Sequence, residues 1–318
     1  MEKEYKFVSA VIYIHNEQKY IQEFVQMIYK YLNDRFYKFE IICVDDASSD
    51  SSISKVQQIV EENRLTNVSL ISMDIYQGRE ASMEAGVDFS IGDYVYELEW
   101  IDLVEPEHYV KLLWNAYKTA LSGFDIVSTA APKPSNIQSK IFYKIYNKFN
   151  LNYTPLTPER FRIVTRRAIN RVSNLNNSIV YRKALFSNCG LKSKVLEYTN
   201  GVPVQNSEKN VQKNKSKLGT HVLLAYTTFI QKVSEGIVFL NILNLLITSC
   251  LIIFNLARGD IVSEISLLWL GISILSVAIS AIILFALKYL ELILGLLLRK
   301  ENYIVGAVSK LENSERER

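Results

Sequence analysis

Cysteine and histidine are scarce in this chain, with three of each in 318 residues. Cys43, Cys189 and Cys250 lie far apart and are odd in number, which excludes a disulfide framework and any recognisable zinc spacing. That usage suits a reducing, cytosolic compartment. His15, His108 and His221 form no ligand pattern. A large excess of charge is also missing. The formal net charge of +3 is too small to argue for nucleic acid, and no nucleic-acid partner is expected. Lys and Arg cluster only locally, between Arg160 and Lys217. The amino end, Met1-Glu2-Lys3-Glu4, is charged and runs into a strand-like segment, so no signal peptide is expected.

In two stretches of the last third, charge is absent altogether. Gly236 to Leu256 (GIVFLNILNLLITSCLIIFNL) and Ile265 to Leu287 (ISLLWLGISILSVAISAIILFAL) contain no acidic or basic residue. Each is long enough to cross about 30 Å of hydrocarbon as a helix. The link ARGDIVSE carries one basic residue, Arg258. Lys213, Lys215, Lys217 and Lys232 precede the pair, and Lys288, Arg299 and Lys300 follow it. The positive-inside rule then predicts a transmembrane hairpin with both chain ends in the cytoplasm. Thr220 to Val233 reads as an interfacial helix leading into the first span.

The first 130 or so residues alternate between strand and helix patterns. Strands are predicted at Val8–Ile14, Phe39–Val44, Val68–Met73, Tyr94–Leu98 and Phe124–Ser128. Helices are predicted at Tyr20–Leu32, Ser52–Glu62, Arg79–Phe89 and Pro106–Leu121. This alternation predicts an α/β domain with a mainly parallel, helix-covered sheet. Ligands of such sheets sit at the carboxyl ends of strands. Polar clusters fall there: Asn16-Glu17, Asp45-Asp46, Gly78-Arg79 and Glu99 to Asp102.

VSAVIYIHNE (Val8 to Glu17) with EIICVDDASSDSS (Glu40 to Ser52) resembles the opening of family 2 glycosyltransferases of the Rossmann-like GT-A fold. YQGREASMEAGVDFSIGDYV (Tyr76 to Val95) is similar to the segment before the metal motif in bacterial polyprenyl-phosphate (undecaprenyl-phosphate) glycosyltransferases, relatives of dolichol-phosphate mannose synthase. The hairpin and the closing LRKENYIV (Leu298 to Val305) resemble the glucosyl-transferring branch. The resemblance implies a nucleotide-sugar donor, UDP-glucose or similar, a polyprenyl phosphate acceptor and a place at the lipid bilayer. It implies a multi-pass protein of the bacterial inner membrane serving cell-surface polysaccharide synthesis, and it leaves a homo-oligomer open. The expected layout is a cytoplasmic GT-A domain at 1–210, a juxtamembrane interfacial segment at 211–235, the hairpin at 236–287, and a cytoplasmic C-terminal helix and tail at 288–318.

By the same resemblance, Asp45 and Asp46 contact the nucleotide, with Ile14, Asn16 and Glu17 beside them. Gly78 permits close backbone approach, and Arg79 heads a helix whose N-terminus favours a phosphate. The fold commonly holds Mg²⁺ or Mn²⁺ with Asp-x-Asp. An ungapped count from Gly92-Asp93 puts Glu99 at the first Asp and Ile101 at the second. One inserted residue lets Asp102-Leu103 and Glu105-Pro106 fit, giving Glu99 and Asp102 as the expected metal ligands. Glu97 and Glu99, on one strand face, are the alternative pair. Near the acceptor, the family's Gly-Asp-Phe-Arg reads Glu159-Arg160-Phe161-Arg162. Arg162 is expected at the lipid phosphate, with Glu159 standing in for the missing acid. Of the juxtamembrane basic motif only Ser216-Lys217 survives, and Lys217 is the second expected phosphate contact. These departures keep a second reading open, a non-catalytic relative that binds nucleotide or lipid or scaffolds a partner.

Overall fold

The computed structural model describes residues 2–99, 103, 105–130, 137–149, 155–174, 181–197 and 303–311, with scattered positions between 222 and 293. Asp102, Lys217, most of the juxtamembrane segment and most of the two expected spans lie outside these residues. Among the described residues, no helix is long and apolar enough to cross a membrane.

Chain contacts divide the protein into two units, one holding 1–143, 152–212 and 300–318, the other 144–151 and 213–299. The first carries the sheet. Its elements begin β1 (Glu4–Ile14), α1 (Ile21–Arg35), β2 (Phe36–Asp45), α2 (Ser52–Glu62), β3 (Val68–Met73), α3 (Arg79–Phe89), β4 (Tyr94–Leu98), α4 (Pro106–Leu121) and β5 (Ile126–Ala130). Helix α5 (Ile137–Phe149), strand β6 (Glu159–Thr165), helices α6 (Arg166–Ser173) and α7 (Arg182–Asn188), and strands β7 (Ser193–Glu197) and β8 (Val305–Leu311) follow. The strand order is β7-β5-β6-β4-β1-β2-β3-β8. Strands β4, β1, β2 and β3 run parallel, while β6 lies antiparallel between β4 and β5.

The expected α/β sheet is therefore present, and its cause is visible in the burial. Val8 to Ile14 of β1 are buried on both faces, as a central parallel strand requires. Helix α1 covers one face with Ile21, Phe24, Val25, Ile28, Tyr31 and Leu32, at helical spacing. Two buried hydroxyls cross this core as a chain: Tyr31 Oη lies 2.8 Å from Tyr96 Oη, which donates to the Leu113 carbonyl at 2.8 Å. Helix α3 lies on the sheet at Gly86. A Cβ there would stand 2.6 Å from Val44 Cγ2 and nearer still to Val11 Cγ1. Gly86→Ala should therefore cost roughly 1–3 kcal/mol through overpacking. Urea unfolding measures this, and an unchanged midpoint would contradict the packing described.

One difference from the sequence expectation concerns 288–318, read as helix and tail. Val305–Leu311 forms strand β8, antiparallel to β3, with Val68 opposite Leu311 and Ile71 opposite Val308. Seven residues without helical periodicity, five of them valine or small, find backbone partners on an open sheet edge. No local pattern reveals that edge, because β3 is some 230 residues away in sequence.

Candidate active site

The carboxyl ends of β1, β2 and β4 come together because the strands are in register. Ile14 pairs with Asp45, and Ile12 with Leu98. The chain goes from β1 to β2 and β3 on one side, then places β4 on the other, so a crevice opens at the ends of these strands.

On the β2 side, the two aspartates do different work. Asp46 is fully buried and anchors a neighbouring loop. Its carboxylate accepts from the Gln77 amide at 2.8 Å, the Gly78 amide at 2.9 Å and Tyr13 Oη at 3.0 Å. Gly78 has φ +90°, a conformation that only glycine adopts without strain, and it caps α3. Arg79 follows, its guanidinium 5.3 Å from the Tyr13 ring centre. Asp45 is 1% exposed, and its Oδ2 accepts from the Ser48 amide at 3.2 Å. Its Oδ1 is buried with no hydrogen-bond partner among the described residues. Burial pushes the Asp45 carboxyl above its usual range, and the Ser48 contact only partly opposes this. An acceptor so placed calls for a donor from a ligand or from water.

Other residues expected at the nucleotide have structural partners. The Ile14 side chain is fully buried in the core, and its carbonyl accepts from the Asp46 amide at 2.9 Å. Asn16, at φ 57°, clasps the β2–α2 loop: its Oδ1 accepts from the Ser49 amide at 2.9 Å, and its amide donates to Ser48 Oγ at 3.0 Å. The Glu17 amide donates to Ser52 Oγ at 2.8 Å.

On the β4 side lies a buried network of opposite charges. Glu97 and Arg162 face each other across β4 and β6. Arg162 is 1% exposed and reaches three carboxylates: Glu99 at 2.8 Å, Glu159 at 3.0 Å and Glu97 at 3.2 Å. Its Nη1, the atom nearest Glu97, lacks hydrogen-bond geometry. Arg182, at the start of α7, is paired with Glu97 through Nη2, and its Nε donates to Glu97 Oε2 at 3.3 Å. The Arg182 amide donates to Glu80 Oε2 at 2.9 Å, tying α7 to α3. Lys183 Nζ stands 3.8 Å from Glu99 Oε2. The Phe186 ring lies 5.4 Å from the Arg162 guanidinium and 5.2 Å from that of Arg182.

Burial alone would raise the Glu99 carboxyl, but Lys183 and Arg162 hold it below the usual range. Glu80 moves the other way, raised by burial and then by Glu99. Glu97 and Glu99 do share one face, since both reach Arg162. As metal ligands they fit poorly. Both oxygens of Glu99 face cations, and both oxygens of Glu97 are engaged with arginines. Among the described residues no group of three acidic, histidine or cysteine side chains is placed to hold a metal ion. The other expected ligand, Asp102, lies outside them. Arg162, expected at a lipid phosphate, instead neutralises carboxylates, because the antiparallel β6 brings it beside Glu97. Sequence reading missed Arg182 and Lys183 as site residues. Their only signal was membership of the local Lys/Arg cluster.

The model of glycosyl transferase family 2 matches residues 9–175, from β1 through α6, and so covers the site residues just described except those on α7. The chain belongs to glycosyl transferase family 2. Among relatives of this family member, an uncharacterized glycosyltransferase of Synechocystis sp. is 24% identical over 191 residues, 58% of each chain. The bactoprenol glucosyl transferase of Shigella phage SfV is 25% identical over 279 residues, covering 83% of this chain and 88% of that protein. Among solved structures, a mannosyltransferase from Pyrobaculum calidifontis in complex with GDP-Man and Mn²⁺ is 17% identical, with a TM-score of 0.45, over 64% of this chain and 59% of that one. A likeness at that level decides nothing about metal or donor here.

Proposed function

We propose that this family 2 member transfers a sugar from a nucleotide sugar, UDP-glucose or similar, to a polyprenyl phosphate. The observation that carries the donor half is Asp45. A buried carboxylate oxygen with no hydrogen-bond partner among the described residues stands at the carboxyl end of β2. A base N–H or a ribose hydroxyl would satisfy it. The α3 N-terminus, held open at Gly78 by Asp46 and followed by Arg79, suits the diphosphate. The acceptor half is supported by the bactoprenol glucosyl transferase relatives, most of whose length this chain spans.

In this reading a phosphate oxygen of the lipid attacks the anomeric carbon, the bond to the nucleotide diphosphate breaks, and configuration inverts. A lipid phosphate is already largely ionised near neutral pH, so no strong general base is needed. Positioning and stabilisation of the leaving diphosphate dominate. A divalent cation, Mg²⁺ or Mn²⁺, would neutralise that leaving group if bound, but of its two expected ligands Glu99 is already paired with Arg162 and Lys183 and does not suit the ion. The hairpin at 236–287 would hold the domain at the cytoplasmic face of the bilayer, where the acceptor resides. Lys217 would meet lipid or acceptor phosphate just before it.

A second reading, a non-catalytic relative, is favoured by one observation: Glu99 and Arg162 are spent on each other. The two separate in one assay. Full-length protein in detergent, with UDP-glucose, undecaprenyl phosphate and either Mg²⁺ or Mn²⁺, should release UDP and form a glucosylated lipid visible by mass spectrometry. Nucleotide binding without turnover on any common UDP-sugar would support the non-catalytic reading instead.

A further inference from the structure

The segment 303–311 returns to the sheet domain and does more than extend its edge. Gln77 grips it with both ends of its side-chain amide: Nε2 donates to the Ile304 carbonyl at 2.6 Å, and Oε1 accepts from the Ile304 amide at 2.7 Å. Tyr303 Oη donates to Asp88 Oδ2 on α3 at 3.0 Å. Gly306 lies so close to Asp74 that a Cβ there would stand 2.7 Å from its Cγ. Three separate contacts therefore fix the loop between β3 and α3 and the helix that follows. The other side of that loop faces the donor crevice. The Gln77 and Gly78 amides donate to Asp46 at 2.8 and 2.9 Å, and the Tyr76 ring lies 4.6 Å from that of His15. His15 in turn sits 2.7 Å from the Asp46 carbonyl through Nδ1. Gln77 thus joins the C-terminal segment, through its side chain, to the donor-site aspartate, through its main chain.

We infer that the C-terminal segment is a working part of the donor site, and that Gln77 is the positioning residue through which it acts. Five residues, 74–78, must hold Tyr76 beside His15 and present the Gly78 end of α3 to the nucleotide. Residues Ile75 and Tyr76 are 58% and 42% exposed, so little packing fixes this loop from outside. Order is supplied by the Asp46 carboxylate from within and by Ile304 from without. A ligand binding to a loop already ordered pays less conformational entropy than one that must order it. The inference rests on the nucleotide reading of the Asp45 side. It extends the site beyond residues 9–175, which the family model covers, to a strand about 130 residues further on.

The experiment uses the full-length protein and titrates it calorimetrically with UDP and, separately, GDP. Gln77→Leu removes both side-chain hydrogen bonds. Ile304→Pro removes one from the other partner without touching the loop. Val308→Thr, on the same strand but away from the loop, is the control. With whichever nucleotide the wild type binds, the first two variants should bind roughly three- to tenfold more weakly, the equivalent of one or two lost hydrogen bonds. Exchange of the Gly78 amide should quicken in both, while Val308→Thr behaves as wild type. A merely structural role would lower the melting temperature and leave nucleotide affinity unchanged in protein that is still folded. That result in Gln77→Leu or Ile304→Pro would overturn the inference. A wild-type protein that binds neither nucleotide would instead overturn the nucleotide reading itself.

Discussion

Replacing Arg162 with methionine should destabilise the sheet domain by about 3–5 kcal/mol, the usual consequence of removing one partner from a buried ion pair. Arg162 is 1% exposed, and Glu97, Glu99 and Glu159 converge on it. Glu97 would retain Arg182 and Glu99 would retain Lys183, but Glu159 would lose the only ion-pair partner described for it. Arg162→Lys should recover little, because one ammonium cannot reproduce the forked contacts of a guanidinium. The pH dependence is diagnostic. In the wild type Glu99 is held below its ordinary value, so its contribution is present above that value and lost as pH falls through the depressed one. Without Arg162, burial of Glu99 is opposed mainly by Lys183, and its carboxyl rises. A carboxyl raised in the folded state costs stability above its unfolded pKa. The methionine variant should therefore gain melting temperature as pH falls from 8 towards 5, while the wild type changes little. Thermal unfolding across that range measures both. A variant as stable as wild type at pH 8 would show that the network contributes nothing net.

Asp45→Asn should weaken nucleotide binding roughly 10- to 100-fold, the range expected for losing a hydrogen bond to a charged acceptor. The fold should not suffer. The carboxylate is desolvated and only half satisfied, so its neutral isostere should leave stability unchanged or raise it by about 1 kcal/mol. Loss of binding with a gain in stability is what separates a ligand-facing group from a structural one. Asp46→Asn should show the reverse pattern. All the amides and the hydroxyl that Asp46 accepts belong to the protein, so its loss should loosen the loop before it affects a ligand. Because burial raises the Asp45 carboxyl, wild-type binding should also weaken as pH falls into that raised range, where a proton competes for the same oxygen. Calorimetry at two pH values on the wild type and both variants tests this. Unchanged affinity in Asp45→Asn would remove the main support for the donor site.

Much of the fold was legible locally. Buried runs such as Val8–Ile14 and the periodic Ile21, Phe24, Val25 and Ile28 declare strand and helix by themselves, and the alternation of the two gives a parallel sheet. Gly78 and the paired aspartates could be assigned to strand ends for the same reason. Strand β8 could not, since its partner β3 is distant in sequence and its own pattern is weak. The site was legible only in outline. Asp45 and Asp46 are neighbours of one residue type, yet one is saturated by amides and the other keeps a bare oxygen. Glu99 read as a metal ligand because its own segment resembles a metal loop. Its partners come from β6 and α7, which no spacing in that segment announces.

The sequence alone determined the class of fold, both ends of the five elements from α2 to α4, and membership of glycosyl transferase family 2. These follow from periodicity and short motifs, which are properties of neighbouring residues. The tertiary structure decided which of the two aspartates keeps an unpaired carboxylate oxygen, that Arg162 answers Glu97, Glu99 and Glu159, and that Ile304 holds the 74–78 loop through Gln77. Charge pairing and hydrogen-bond saturation depend on distances of about 3 Å between groups far apart in the chain, and only folding sets those distances.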